Sequence, residues 1–344
     1  IRLERCESQS STRFCQGDVM PYRPILPIIS TPRERERLLV GYREDLEGEL
    51  RRCARTNMTK SAVGTIVPPV VPSGVARRKV PIIGGLAFLT VVYCCVFFLL
   101  QGSSSLKPAA EFCRSSTDEP CSRPDLFAFQ VSSAFMQVFM GFTGVSAWHI
   151  SKRAHLAIPA TPEGRLFGYL EEADRLNAGI LVFQVWDFVA SLSIPEHATA
   201  IFLTHHALAA LLAWFSLEYQ FVHYYAIYFG GCSEFSSIFL VLCDFDVYFP
   251  ANRGSLWSGF IFASQVGFAV TFFYYRVIGW WKVSYQLWSD VLHVLKNDIM
   301  QQYRPGKTWF LYVFLVLDLV LGLLQVYWFR FGILPKIMEI LVDS

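Results

Sequence analysis

Residues 198–217 read ATAIFLTHHALAALLAWFSL, and His205 and His206 are the only ionisable side chains in this run. A helix needs about 20 predominantly apolar residues to cross the hydrocarbon core of a bilayer. The stretch therefore predicts a transmembrane helix that carries two adjacent histidines. Because an ionisable group inside a membrane is costly unless it faces protein or water, we expect this helix to line the polar interior of a bundle.

The composition of the whole chain also points to a membrane. Of its 344 residues, 53% are hydrophobic and 17% are charged, whereas roughly a quarter are charged in an average soluble domain. These values exclude a soluble globular protein, a disordered chain and a disulfide-framework secreted domain. Basic charge is concentrated in residues 1–79, which hold 15 Lys and Arg against 9 Asp and Glu. Nucleic acid is therefore not an expected partner.

Seven stretches are long and apolar enough to span a bilayer. They lie at 80–101, 125–149, 176–194, 198–217, 221–243, 256–280 and 308–331. We therefore predict an all-α integral membrane protein of about seven transmembrane helices, with a loop at 102–124 and a C-terminal tail at 334–344. Lys and Arg beside the first, second and sixth spans place the N-terminus in the cytoplasm-like compartment.

Residues 1–79 are predicted to form a basic extramembrane arm before the first span. Thr31 and Glu34 make a T-x-x-E capping box, and leucines then recur at helical spacing, which predicts an amphipathic helix over 32–55. Such a helix suits a membrane surface or a partner protein. Membrane lipids and other membrane-protein subunits that contact the arm are therefore the candidate partners.

Charged residues near the end of the sixth span carry two further expectations. Arg276 is expected to extend its charge towards the membrane surface. Between spans six and seven, apolar residues at helical spacing predict an interfacial amphipathic helix, with Asp290, Lys296 and Asp298 on its charged face.

The nine cysteines show no spacing typical of a metal site. Cys113 and Cys121 lie eight residues apart in the 102–124 loop. A disulfide between them is expected if the loop faces an oxidising lumen, and two reduced thiols are the alternative. Asn57-Met58-Thr59 is a glycosylation sequon, which the predicted topology places on the wrong side for modification.

Ionisable and polar side chains stand at similar depth in several predicted spans. They are Asp187, His205, His206, Glu234 and Asp318, with Gln184, Ser233, Ser236, Ser237, Gln265 and Gln325 nearby. If the helices form one bundle, these side chains converge on its interior. Three roles are open: acid–base chemistry on a lipid, ligation of a metal, haem or chlorophyll, and a polar network that joins the helices. No metal ligand set is assigned.

Six segments resemble, in order, the landmarks of the TLC family (TRAM, LAG1 and CLN8 homology), which are multi-pass membrane proteins of lipid metabolism. They are Val145–His149, Val185–Asp187, His205–His206, Ser233–Ser237, Phe272–Arg276 and Leu324–Phe329. The resemblance covers 125–333, is closer to small TLC-domain proteins than to ceramide synthases, and implies six helices around a lipid cavity. It implies His205 or His206 as a base and Asp187 as its orienting group if the protein is an enzyme. The polar cavity wall would comprise Glu234, Ser236, Ser237, Gln265, Asp318 and Gln325.

The sequence departs from the ceramide synthase pattern. The segment after His206 is apolar, whereas those enzymes carry an H-D-x-x-D acidic pair there. Ser237 and Ile238 replace a usual Thr-Pro, and Gln325 replaces a usual Asn. We therefore expect binding or handling of an acyl chain or sphingoid-like lipid. The alternatives are a non-catalytic accessory subunit of an organellar membrane complex and an N-acyltransferase, for which acyl-CoA would be the donor. The expected membrane is the endoplasmic reticulum or another endomembrane, with the mitochondrial inner or thylakoid membrane as the alternative.

Overall fold

The computed structural model describes residues 73–101, 123–247 and 254–343. The longer helices in these ranges are α1 (Lys79–Gln101), α2 (Pro124–Val145), α3 (Glu171–Ser191), α4 (Ala200–Tyr219), α5 (Phe235–Val247), α6 (Ser255–Phe272), α7 (Trp280–Lys296), α8 (Trp309–Trp328) and α9 (Leu334–Asp343). Shorter helices cover Gly74–Arg77, Arg153–Ala157, Pro162–Phe167, His223–Ala226 and Met300–Tyr303. The described ranges contain no β-strand, which confirms the predicted all-α class. The predicted helix at 32–55 lies outside them.

Six helical segments of the described chain are long and apolar enough to cross a membrane. They are Lys79–Gln101, Pro124–Ile150, Ala200–Tyr219, His223–Phe245, Ser255–Lys296 and Trp309–Glu339. The chain is therefore a multi-pass integral membrane protein. The predicted span at 176–194 is also helical, as α3, but it is not among the six. Because α3 packs against α1, α2 and α4, most of its surface contacts protein and can carry buried polar side chains.

The sixth predicted span and the amphipathic helix after it form one continuous helical segment, Ser255–Lys296. At 1.5 Å per residue, its 42 residues extend about 63 Å. The α7 part packs against α8 and against Pro162–Phe167. The prediction that Asp290 lies on the charged face is wrong, because its side chain is 3% exposed. It accepts hydrogen bonds from Arg165 and Tyr225, which compensate for its burial.

Four of the membrane segments contain a stretch of π-helix. These stretches are Ser146–Ile150, Ile227–Gly231, Phe273–Gly279 and Phe329–Ile333. A π turn accommodates one extra residue in an α-helix and commonly occurs at functional sites. After the Ile227–Gly231 stretch, a short 3₁₀ turn, Cys232–Glu234, leads into α5.

Two of these segments approach each other through glycine. A Cβ atom added to Gly144 would lie 2.2 Å from the carbonyl carbon of Gly231 and 2.3 Å from the backbone nitrogen of Cys232. Any larger residue at position 144 would therefore push the two backbones apart. Small residues permit such close helix contacts inside membranes, where van der Waals packing drives helix association.

An ionic cluster precedes α1 and joins it to the start of α3. Asp174, which is fully buried, accepts hydrogen bonds from Arg77 at 2.9 Å and from Arg78 at 2.7 Å. Arg78 also donates to Glu171 at 2.8 Å, and the Tyr169 hydroxyl donates to the same carboxylate at 2.6 Å. These bonds lower the pKa of Glu171 to about 2. The cluster therefore holds the basic residues before the first span against the third helix.

Candidate functional site

A polar cavity of about 50 Å³ lies where α3, α4, α8 and the π-helical stretches Ile227–Gly231 and Phe273–Gly279 meet. The polar side chains that line it are Gln184, His205, Ser233, Glu234, Arg276 and Gln325. Five of these stand on different helical segments and come together only in the folded bundle. A cavity this size, lined by several hydrogen-bonding groups, is large enough to hold a polar head group or water.

Arg276 lies at the centre of the polar side of the cavity and is 6% exposed. Its Nε donates to the Ser233 carbonyl and to Ser236 Oγ, both at 2.9 Å. Its Nη1 donates to Gln325 Oε1 at 3.2 Å, and its Nη2 donates to Ser237 Oγ at 2.7 Å. The guanidinium therefore joins the segments that carry residues 233–237, 273–279 and 325.

The prediction that Arg276 extends to the membrane surface is wrong. The π-helical stretch Phe273–Gly279 turns its side chain inward, and the carboxylate of Glu234 lies 3.1 Å from Nη2 as its counter-ion. The sequence contained a signal for this pairing, because Arg276 ends one TLC landmark segment and Glu234 lies inside another.

Several of the predicted cavity residues lie close to Arg276. Ser237 Oγ donates to Glu234 Oε2 at 2.9 Å, and Ser236 Oγ donates to the Ser233 carbonyl at 2.9 Å. Gln325 is 1% exposed and reaches the site from α8. Arg276 and these five residues thus form one connected network of hydrogen bonds around one ion pair.

The two histidines occupy different positions. His206 is held between neighbours on α3: its Nδ1 lies 2.6 Å from Gln184 Oε1, and its Nε2 lies 3.5 Å from Asp187 Oδ1. Asp187 also accepts a hydrogen bond from Ser191 at 2.9 Å. His205 lines the cavity instead, and its buried Nδ1 has no hydrogen-bond partner within the described part of the chain. His205 is therefore the histidine that can meet a bound molecule.

A second, mainly apolar cavity of about 100 Å³ adjoins the first. The two cavities share six lining residues, namely Ile180, Ala209, Phe229, Gly230, Trp280 and Leu321. Asp318 belongs to this second cavity, where its carboxylate accepts hydrogen bonds from Ser284 at 2.8 Å and from Trp288 Nε1 at 3.0 Å. The structure thus separates Asp318 from the other predicted cavity residues.

Some predicted site residues are not brought to either cavity. Gln265 is exposed on α6, so its assignment to the cavity wall is wrong. That helix turns few residues towards the protein, and apolar content alone did not indicate which face they occupy. Cys113 and Cys121 lie outside the described residues. Within the described ranges, no group of three or more His, Cys, Asp or Glu side chains is arranged to hold a metal ion.

The comparison with protein families agrees with this architecture. The family model of the TLC domain matches residues 126–333, which is more than half of the chain. No curated protein and no solved structure matches the chain. The matched range includes the paired histidines, Glu234, Arg276 and Gln325, and so covers the entire polar cavity. The chain therefore belongs to the TLC domain family.

Proposed function

We propose that this protein binds or handles a lipid, with the head group in the polar cavity and part of the chain in the apolar cavity. The observation that carries the proposal is the adjacency of the two cavities, which share six lining residues. A polar site beside an apolar one is complementary to an amphipathic molecule. Because both cavities lie inside a membrane bundle, a lipid of the surrounding bilayer is such a molecule.

The sizes of the cavities limit how much of the lipid is enclosed. An engineered apolar cavity of about 150 Å³ holds one benzene molecule, and the apolar cavity here is about 100 Å³. It therefore accepts only a short part of an acyl or sphingoid-like chain. The remainder of the chain would extend into the lipid between helices.

Lipid analysis of the purified protein tests the proposal. The protein is purified in mild detergent from its native membrane, and bound lipids and proteins are measured together by mass spectrometry. We expect one lipid class to be enriched over the bulk membrane composition. In the His205→Ala variant its occupancy should fall about threefold to tenfold, because one hydrogen bond to the head group is lost.

Gln265→Ala is the matched control, because Gln265 is exposed on α6 and lies outside both cavities. Its lipid occupancy should equal that of the wild type. Lipids identical to the bulk membrane in all three proteins would contradict the proposal. A large particle with stoichiometric partner proteins and no enriched lipid would instead support the accessory-subunit function. Fractionation of the source cells before purification identifies whether the membrane is endoplasmic reticulum, another endomembrane, mitochondrial inner membrane or thylakoid.

The histidines favour a second candidate, which is N-acyl transfer from acyl-CoA to a lipid amine. A neighbouring side chain commonly orients a catalytic histidine. His206 Nδ1 pairs with Gln184 Oε1 at 2.6 Å, and its Nε2 faces Asp187 Oδ1 at 3.5 Å without a hydrogen bond. Because His205 is the one that lines the cavity, we assign it the contact with the amine. Labelled acyl-CoA and a long-chain amine should then give an amide with the wild type and none with His205→Ala.

A further inference from the structure

The charges of the polar cavity limit which head group it can bind. Besides His205, the ionisable side chains among the described residues that line it are Arg276 and Glu234, which form an ion pair at 3.1 Å. Their charges therefore compensate each other before any ligand enters. A charged head group would bring an uncompensated charge into a site enclosed by protein and lipid, which is strongly unfavourable.

The guanidinium of Arg276 has little capacity left for an anion. An arginine has five N–H donors, and its three nitrogens already donate to residues 233, 236, 237 and 325 and pair with Glu234. A carboxylate or phosphate could bind here only by displacing Glu234. That displacement would leave the Glu234 carboxylate without its counter-ion, so the exchange gains nothing.

A cation faces the corresponding obstacle at Glu234. One carboxylate oxygen of Glu234 is paired with Arg276, and the other accepts the hydrogen bond from Ser237 at 2.9 Å. An ammonium head group would compete with the arginine for the same carboxylate. Because the arginine is fixed by four other acceptors, it would remain close to the incoming positive charge and repel it.

Two side chains that line the cavity have a buried nitrogen without a hydrogen bond among the described residues, namely Trp280 Nε1 and His205 Nδ1. The indole N–H of Trp280 can only donate, so His205 Nδ1 is the group that can take either role. A ring nitrogen of a neutral histidine is a donor in one tautomer and an acceptor in the other. A hydroxyl group both donates and accepts, so it can pair with this nitrogen in either tautomer. An uncharged hydroxyl therefore fits both the hydrogen-bonding capacity and the charge of the site.

We infer that the cavity selects a lipid with an uncharged hydroxyl head group and discriminates against carboxylate, phosphate and ammonium head groups. This inference rests on the proposed lipid binding and specifies its ligand class. It opposes the N-acyl transfer alternative, because the long-chain amine of that reaction is an ammonium at neutral pH. Arg276 and Glu234 together act as a filter for charge, and His205 binds the hydroxyl.

Three probes with the same ten-carbon chain test the inference: decan-1-ol, decanoate and decyltrimethylammonium. Binding of each to the detergent-purified protein is measured by native mass spectrometry at neutral pH. We expect decan-1-ol to bind at least tenfold more tightly than either charged probe. Decan-1-ol binding should weaken about threefold to tenfold in His205→Ala, through loss of the hydroxyl partner.

A single charge change should alter this selectivity. Glu234→Gln removes the counter-ion of Arg276 and leaves the cavity with a net positive charge, so decanoate should gain at least tenfold in affinity relative to decan-1-ol. Asp244→Asn is the matched control, because it makes the same carboxylate-to-amide change in α5, outside both cavities. Its preference for the three probes should equal that of the wild type.

The outcomes separate this inference from the proposed function. If no probe binds the wild type, the proposed lipid binding fails and this inference fails with it. If decanoate or decyltrimethylammonium binds the wild type as tightly as decan-1-ol, lipid binding stands and the charge filter is wrong. The wild-type comparison decides this even if Glu234→Gln does not fold.

Discussion

The carboxylate of Asp290 and the guanidinium of Arg165 meet in the protein interior at 2.6 and 2.7 Å, although 125 residues separate them in the chain. The Tyr225 hydroxyl donates to the same carboxylate. Three segments, Pro162–Phe167, His223–Ala226 and α7, are therefore fixed to one another at one point. Burial requires this pairing, because each charge alone would be unfavourable in the interior.

Replacement of Asp290 by Asn should destabilise the protein by about 3–5 kcal/mol, because it leaves the Arg165 charge without its partner in a mostly buried site. The measurement is the thermal unfolding of the purified variant in detergent. Asp298→Asn is the matched control, because Asp298 lies two residues after the end of α7 and is exposed. Its φ is 50°, which Asn tolerates. Equal melting temperatures for the two variants would contradict the assigned role of Asp290.

Gly144→Ala should lower stability by about 1–3 kcal/mol or more, because the added methyl group would overlap the backbone at Gly231 and Cys232. Gly84→Ala makes the same chemical change in α1, where a Cβ atom would have no neighbour within 4 Å. That variant should unfold at the wild-type temperature or above it, because alanine favours a helix more than glycine does. A Gly144→Ala variant as stable as the wild type would show that α2 does not approach Gly231 this closely.

The ion pair between Arg276 and Glu234 should appear as a coupling between mutations. Arg276→Gln alone leaves the Glu234 carboxylate without its counter-ion and should destabilise the bundle strongly. Adding Glu234→Gln should recover part of that loss, with a coupling energy of about 0.5–3 kcal/mol between the two positions. Thermal unfolding of both single variants and the double variant measures it. Strictly additive effects would mean that the two side chains do not interact.

The contribution of Glu171 to stability should depend on pH. Hydrogen bonds from Tyr169 and Arg78 lower its pKa from the usual 4.5 to about 2. A carboxyl with a lowered folded-state pKa stabilises the fold fully above its unfolded pKa and loses that effect as the pH falls towards the folded value. The difference in melting temperature between the wild type and Glu171→Gln should therefore be constant at pH 6–7 and shrink below about 4.5.

Arg175→Gln serves as the control for this titration, because Arg175 is exposed and its 3.1 Å bond to Glu171 joins residues four apart on the same helix. Such pairs contribute little. The variant should keep most of the pH dependence of the wild type. If the difference in melting temperature between the wild type and Glu171→Gln stays unchanged down to pH 3, the lowered pKa of Glu171 is contradicted.

The membrane fold could be predicted from the sequence because length and apolar content determine which segments can cross a bilayer. Residues 198–217 illustrate this, since α4, Ala200–Tyr219, lies within two residues of the predicted bounds. The predicted span at 176–194 is helical as α3, but α3 is more polar than the six apolar segments because most of its neighbours are protein. The prediction failed to join 256–280 with the helix that follows, because nothing in the apolar pattern distinguishes a π-helical stretch from an end.

The candidate site was predicted in part. Family landmarks identified Glu234, His205 and Gln325, which do line one cavity. Apolar periodicity predicted neither the inward orientation of Arg276 nor the outward orientation of Gln265, because both depend on how α6 and the following π-helical stretch rotate against their neighbours. That rotation is set by contacts between residues distant in the chain, and hydrophobic periodicity does not specify them. For Arg276, its place in a landmark segment was the signal that could have been used.

The π-helical stretches also affect how this chain should be compared with other members of its family. Each π turn adds one residue to a segment without changing its start or its end. Positions on either side of Phe273–Gly279 or Ile227–Gly231 therefore correspond to those of a relative with an uninterrupted helix only if a gap of one residue is placed inside the segment. An ungapped alignment would equate Arg276 or Glu234 with a neighbour that faces a different direction. Transfer of site residues between relatives should thus follow the geometry of the turn rather than the residue count.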